Sequence, residues 1–295
     1  PDPTLRTLGV RYIQIGGDWW NQCGRGWLNI DMAFRAQGLM EGQIGTTDDG
    51  RHNMNMLIDE TTVLPFASQS VQLIYSEHMI EHLLPVASAE APAPFGGVNL
   101  LRELYRILVP GGVLRVSTPD LQKCLCDYAA GGTGLLRPFA WKFQPMQDHL
   151  YKDRAGNGKP TDATVINDIF RNYGHRWIYD YDELELALRR ATRGAGRICR
   201  SDMARIGLPT PLVTAVEEAT KQHSTTCWLD QAVRDDVSLY VHTYKTSNWS
   251  QPAAGTLRRP YCRPVAGKYH CVVGEDAPKW GADFGHAPDY TKWYQ

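Results

Sequence analysis

The chain has 295 residues, enough for one large domain with an appendage or for two small ones, and its 43% hydrophobic content is ordinary for a globular protein. Its 31 Lys and Arg nearly cancel 32 Asp and Glu, so no strong field draws it to nucleic acid or to an anionic membrane. No apolar run approaches the roughly 18 residues of a spanning helix, and "PDPTLRTLGV" lacks the basic-then-apolar order of a secretion signal, which predicts an unexported, cytoplasmic chain with no membrane partner.

In chain order, the first informative stretch is "RYIQIGGDWWNQCGRGWLNID", residues 11–31. A short apolar strand, Tyr12 to Ile15, runs into Gly16 and Gly17, and a second pulse, Trp27 to Ile30, ends on Asp31. Strand, glycine turn, second strand and terminal carboxylate suit a nucleotide-binding α/β domain, although Asp18 stands where such loops usually continue with glycine. "MNMLID", "VQLIYS" and "VLRVSTP" are further strand candidates, each apolar and ending in polar or turn residues. Residues 85–97, "PVASAEAPAPFGG", read as an irregular insertion. "NLLRELYRILVPGG" then places Leu100, Leu101, Leu104, Ile107 and Leu108 on one helical face and stops at Pro110 and the glycine pair. Strand and helix alternating in this way predict a largely parallel sheet with helices on both faces, whose ligands bind beyond the carboxyl ends of the strands. Gly16, Asp31, Asp59, Ser76 and Glu77 are expected to converge on that rim.

Residues 182–191 form another expected helix with Asp182 as its cap, and "SLYVHTYK", 238–245, alternates like a late strand. Residues 246–295 are crowded with Pro, Gly and aromatics and lack a period, so they are expected to wrap the domain or cover its cleft as a C-terminal extension. The seven cysteines are scattered and odd in number, which argues against a disulfide framework and fits a reducing compartment. "KCLCD" has no zinc-ribbon spacing, and "NWS" at 248–250 fits a short glycosylation sequon that is common by chance.

"LPFASQSVQLIYSEHMIEHL" (64–83), "LLRELYRILVPGGVLRVSTPDL" (101–121), "INDIFRNYGHRWIYDYDELELAL" (166–188) and "LDQAVRDDVSLYVHTYK" (229–245) together resemble the class I S-adenosylmethionine-dependent methyltransferases, in the branch with a "SHVLEHL"-type signature. The resemblance spans about residues 10–245 and stops before the 246–295 extension, so residues 1–245 are taken as the methyltransferase domain. It implies a Rossmann-like, seven-stranded, mostly parallel sheet with a final antiparallel hairpin. It also implies S-adenosyl-L-methionine across the rim, with Gly16, Gly17 and Asp18 beneath the methionyl end and Asp31 on the ribose hydroxyls. Met32 would pack on adenine, Asp59 and Glu60 would lie near its amino group, and Ser76 and Glu77 would close the methionyl side. The implied activity is methyl transfer to oxygen, or next nitrogen, of a small-molecule or glycan-type acceptor, with a homodimer allowed.

A hydroxyl acceptor needs a base, and histidine, with an unperturbed pKa of about 6.5, suits neutral pH. His78, after the fourth strand, and His175, on the side the family gives to the acceptor, are the catalytic candidates. His82 more simply ties its helix to a loop, while Tyr179 and Arg176 are acceptor-site candidates by proximity. Two rivals compete. "HMIEH", 78–82, matches H-x-x-E-H, in which an α-helix would set His78 and His82 on one face as zinc ligands with Glu81 as base of a hydrolase. Alternatively, the protein holds the cofactor without methylating, for which Asp18 is the best sign. The preferred reading expects no metal.

Overall fold

The computed structural model describes residues 2–17, 22–85, 96–129, 161–194, 196–201 and 238–245. Asp18 and the tryptophans beside it, residues 86–95 of the insertion, residues 130–160 and the 246–295 extension lie outside the described residues. The described residues fall into two compact units, one running to Leu121 and resuming at Ile169, the other from Gln122 to Asp168.

The first unit holds one eight-stranded sheet. Its strands are β1 (Tyr12–Ile15), β2 (Trp27–Asp31), β3 (Ile44–Thr46), β4 (His52–Asn55), β5 (Val71–Glu77), β6 (Leu108–Pro119), β7 (Gly196–Ser201) and β8 (Ser238–Lys245), in the order β3-β4-β2-β1-β5-β6-β8-β7. β4, β2, β1, β5 and β6 are mutually parallel, and β8 runs antiparallel to both β6 and β7. The expected seven strands with a terminal antiparallel hairpin are therefore present, and the three-residue β3 adds an antiparallel edge. β1 is buried along its whole length and β5 at all but Gln72, the continuous burial that a parallel sheet covered on both faces produces.

The helices are α1 (Pro3–Thr7), α2 (Gly97–Ile107), α3 (Leu121–Ala129), α4 (Asp162–Arg171) and α5 (Tyr181–Thr192). α2 forms where the 3.6-residue spacing predicts it and buries Leu100, Leu101, Leu104 and Ile107, each worth roughly 1.5–3 kcal/mol on transfer from water. It passes directly into β6 at Leu108, since Pro110 disfavours the helical backbone of the residue before it. α5 is capped by Asp180, whose carboxylate accepts from the Glu183 N–H at 2.8 Å; Asp182, the expected cap, sits one residue inside the first turn. Its last turn ends on Arg193 at φ 53°.

Two expectations are overturned. The strand read in "MNMLID" stops at Asn55, where its pairing with Asp31 ends, so Asp59 is not a strand-end residue. Cys23 and Cys126 are each disulfide-bonded, and Cys124 is buried. Linear spacing does not reveal which loops a fold brings together, and the bonded pairs remove the cysteine argument for a reducing compartment. No described helix is long and apolar enough to cross a membrane.

Candidate functional site

The sheet reverses its direction of growth at β1. From there the chain builds outward through β2 and β4 on one side and through β5 and β6 on the other. Such a switch point opens a crevice between the carboxyl ends of the two strands that flank it, here β1 and β5. Register brings Ile15 opposite both Ile30 and Ser76, so Gly16, Asp31, Ser76 and Glu77 share one rim. Gly16 lies at φ 80°, and a Cβ there would fall 2.4 Å from the Glu77 carbonyl oxygen, so only glycine lets the turn lie against β5. Gly17 follows it, buried.

Each rim residue has a local account. Asp31 caps the 3₁₀ helix Met32–Gln37, accepting from the Ala33 N–H at 2.8 Å. Met32, next in line, is 62% exposed, an apolar side chain laid open beside the rim. Glu77 is buried and accepts from Gln14 Nε2 at 3.1 Å. Ser76 is also buried, yet its Oγ has no hydrogen-bond partner among the described residues. A buried hydroxyl ordinarily finds one, so the Ser76 hydroxyl stands out among the strand-end groups.

Asp59 and Glu60 stand apart from the strand ends. Asp59 Oδ1 accepts from the Thr61 N–H and hydroxyl and from the Thr62 hydroxyl at 2.8–3.0 Å, closing a turn that the residue's type favours. Burial pushes its carboxyl up, but these hydrogen bonds outweigh that and hold it below the usual range. The Glu60 carboxylate pairs with Arg176, and its carbonyl accepts from the Gly96 N–H at 3.0 Å.

Immediately past β5 a second group of polar residues gathers around Glu81. Ile80–His82 is a single 3₁₀ turn, and His78 lies before it in the left-handed region, at φ 44°. The α-helical arrangement needed by the H-x-x-E-H reading is therefore absent. His78 instead directs Nδ1 to Glu81 Oε1 at 3.1 Å and Nε2 to Ser238 Oγ at 2.8 Å. The other Glu81 oxygen accepts from Thr118 Oγ1 at 3.1 Å. From the far side, the Arg176 and Trp177 N–H groups donate to the Glu81 carbonyl and bring His175 over the carboxylate, its Nε2 at 3.9 Å from Oε1. The His82 ring stands edge-on to His175 at a centroid distance of 4.9 Å.

Glu81 is fully buried. Burial raises its carboxyl pKa, but the close approach of His78 and the fields of the three histidines prevail and keep it low, so the group is ionised. His175 is shifted the other way: burial pushes it down, outweighing Glu81 and the Ile169 carbonyl, and keeps the ring neutral. Tyr179 is wholly buried beside Asp120, its phenol pushed up by burial and by Glu183 and Glu81, which makes it part of the wall. Sequence reasoning singled out His78, His175 and Glu81 but missed Thr118 and Ser238, which reach the cluster from β6 and β8 and carry no local signal.

No family model and no curated protein matches this sequence. Among solved structures, the chain is similar to an S-adenosylmethionine-dependent methyltransferase from Mesorhizobium loti at 16% identity and TM-score 0.36, over 82% of this chain and 96% of that one. It is similar to a possible histamine N-methyltransferase from Thermotoga maritima at 13% identity and TM-score 0.36, over 80% and 82%. A third, phosphoethanolamine N-methyltransferase 2 of Haemonchus contortus in complex with S-adenosyl-L-methionine, stands at 13% and 0.34, over 81% and 49%. At these identities and TM-scores the likeness assigns neither activity nor site residues to this chain.

Proposed function

We propose that residues 1–245 form an S-adenosyl-L-methionine-dependent methyltransferase domain acting on a hydroxyl of a small-molecule or glycan-type acceptor. The observation that carries this reading is the rim at the switch point, where Gly16 is forced against β5, Asp31 ends the neighbouring strand, and the buried Ser76 hydroxyl lacks a partner. Gly16 and Gly17 would lie beneath the methionyl end, Asp31 would accept from ribose hydroxyls, Met32 would cover adenine, and Ser76 would donate or accept at the methionyl side. When bound, the cofactor supplies an activated methyl group on a sulfonium.

The residues around Glu81 support a general base. An ionised Glu81 facing His78 Nδ1 assigns the ring proton to that nitrogen and leaves the Nε2 lone pair toward Ser238. His78 then withdraws the acceptor hydroxyl's proton at Nε2, relayed through the Ser238 hydroxyl. The acceptor oxygen so freed of its proton would be the nucleophile for the methyl group that the bound cofactor supplies. Such positioned proton transfer contributes about 10²–10⁴-fold.

Calorimetry with S-adenosylmethionine and S-adenosylhomocysteine tests the reading. Both are expected to bind one per chain, and Asp31→Asn should weaken both. No binding of either ligand by the wild-type protein overturns it.

A further inference from the structure

We infer that Glu81, His82 and His175 form a binding site for one first-row divalent cation, best suited to Zn²⁺. One carboxylate oxygen and one nitrogen from each ring lie within 4.8 Å of one another. These ligands differ from those of the H-x-x-E-H motif, since His175 replaces His78 and the geometry comes from a tertiary contact.

Three observations point to a cation between these groups. First, His175 Nδ1 donates to the Ile169 carbonyl, which leaves Nε2 as the ring nitrogen facing Glu81. Nε2 and Oε1 face each other at 3.9 Å, too far apart for a hydrogen bond and spaced to take an ion between them. Secondly, Glu81 Oε1 is buried and has no well-aligned hydrogen bond despite the nearby His78 Nδ1. A buried carboxylate oxygen in that state is costly to leave unsatisfied. Thirdly, the contact of His175 Nδ1 with a backbone carbonyl is the outer-shell support that orients metal-ligating histidines.

The spacing fits after side-chain adjustment. Two ligand atoms about 2.1 Å from a tetrahedral ion stand about 3.4 Å apart, so the 3.9 Å gap needs to close by roughly half an ångström, and separations in the set, which reach no more than 4.8 Å, by at most roughly 1.4 Å. Two imidazoles and one carboxylate match borderline cations such as Zn²⁺ and leave a fourth position open. Glu81 is fully buried while both histidines are partly exposed, which leaves an approach from the histidine side. On the methyltransferase reading, that open position would hold an acceptor oxygen near His78 and make its proton more acidic.

The test uses the full chain, treated with chelator and then titrated with Zn²⁺ in competition with a chromophoric chelator, and separately with Co²⁺ followed by its ligand-field absorption. One equivalent should bind, with cobalt bands of a nitrogen–oxygen site. His82→Ala and His175→Ala should each weaken binding by about 10²-fold or more while leaving the circular dichroism spectrum unchanged. His82→Gln serves where the alanine variant does not fold. No stoichiometric binding, intense thiolate-to-cobalt charge transfer, or affinity unchanged in the histidine variants overturns the site. S-adenosylmethionine affinity is measured on the same samples. Cobalt binding without cofactor binding would remove the methyltransferase reading and leave the metal site standing, and the reverse result would do the opposite.

Discussion

At the rim, the polar residues nearest the switch point sit where strands end. Gly16 follows β1, Asp31 closes β2, and Ser76 and Glu77 close β5, so hydrogen-bonded register sets their spacing. Around Glu81 the contributors come instead from a 3₁₀ turn, from β6, from a loop almost a hundred residues downstream, and from the first residue of β8. The rim is a consequence of sheet topology, and its residues mostly have ordinary local duties as caps or turn formers. The Glu81 cluster is a buried charge held by three histidines, and folding must offset the desolvation of that charge. On the proposed function, chemistry belongs to the second region and ligand holding to the first.

The sharpest way to break this division is His78→Gln. If the cluster supplies the base, turnover should fall by about 10²–10⁴-fold with cofactor affinity unchanged. A parallel loss of cofactor affinity, read by calorimetry, would merge the two regions into one. Gly16→Ala attacks the other side. The positive φ alone costs about 1–3 kcal/mol, and the new Cβ meets a backbone carbonyl that cannot turn aside, so melting temperature and cofactor affinity should both drop. An alanine variant that melts and binds like the wild type would show that the turn has room.

Acidification separates the regions by their protons. His175, and more strongly His242 packed against Arg115, are held below the ordinary histidine pKa of 6.5 by burial. A depressed histidine is neutral in the fold, while the unfolded chain takes up its proton below about 6.5, so stability is full above that pH and falls as pH drops. Each contributes a slope of up to about 1.4 kcal/mol per pH unit. Glu81, also depressed, adds a further loss only at more acidic pH, as its carboxyl protonates in the fold. Urea midpoints at pH 7.5, 6 and 5 should therefore decline, and His242→Gln should flatten part of the decline; a midpoint rising toward acid would contradict these shifts. The smallest effect is expected at Asp59→Ala, which should cost roughly 0.5–1.5 kcal/mol through the lost turn hydrogen bonds. Calorimetry on this variant decides whether Asp59 also meets the cofactor. Unchanged affinity confines it to the turn.

Much of the first region was legible beforehand because it depends on short-range pattern. The apolar pulse before Gly16, the one before Asp31 and the helical spacing of Leu100, Leu101 and Leu104 are local consequences of burial, and each forms the expected element. Where a boundary depended on pairing, the reading slipped. "MNMLID" looks like a strand to its end, but β4 stops at Asn55 because its neighbour β2 stops at Asp31. The cap of α5 slipped by two residues for a similar reason, since Asp180 and Asp182 are equally good caps until the backbone chooses which N–H is reachable.

The sequence by itself determined the alternation of strands and helices, the glycine turn and the residues at the strand ends, because hydrophobic period and backbone freedom are properties of neighbouring residues. Only the tertiary structure decided that "HMIEH" would form a 3₁₀ turn with His78 outside it, that His175 would join His78 and His82 around the carboxylate, and that Ser238 would meet His78. Those contacts join positions far apart in the chain, and packing selects them by which buried charge can be satisfied, a condition that no stretch of residues carries alone.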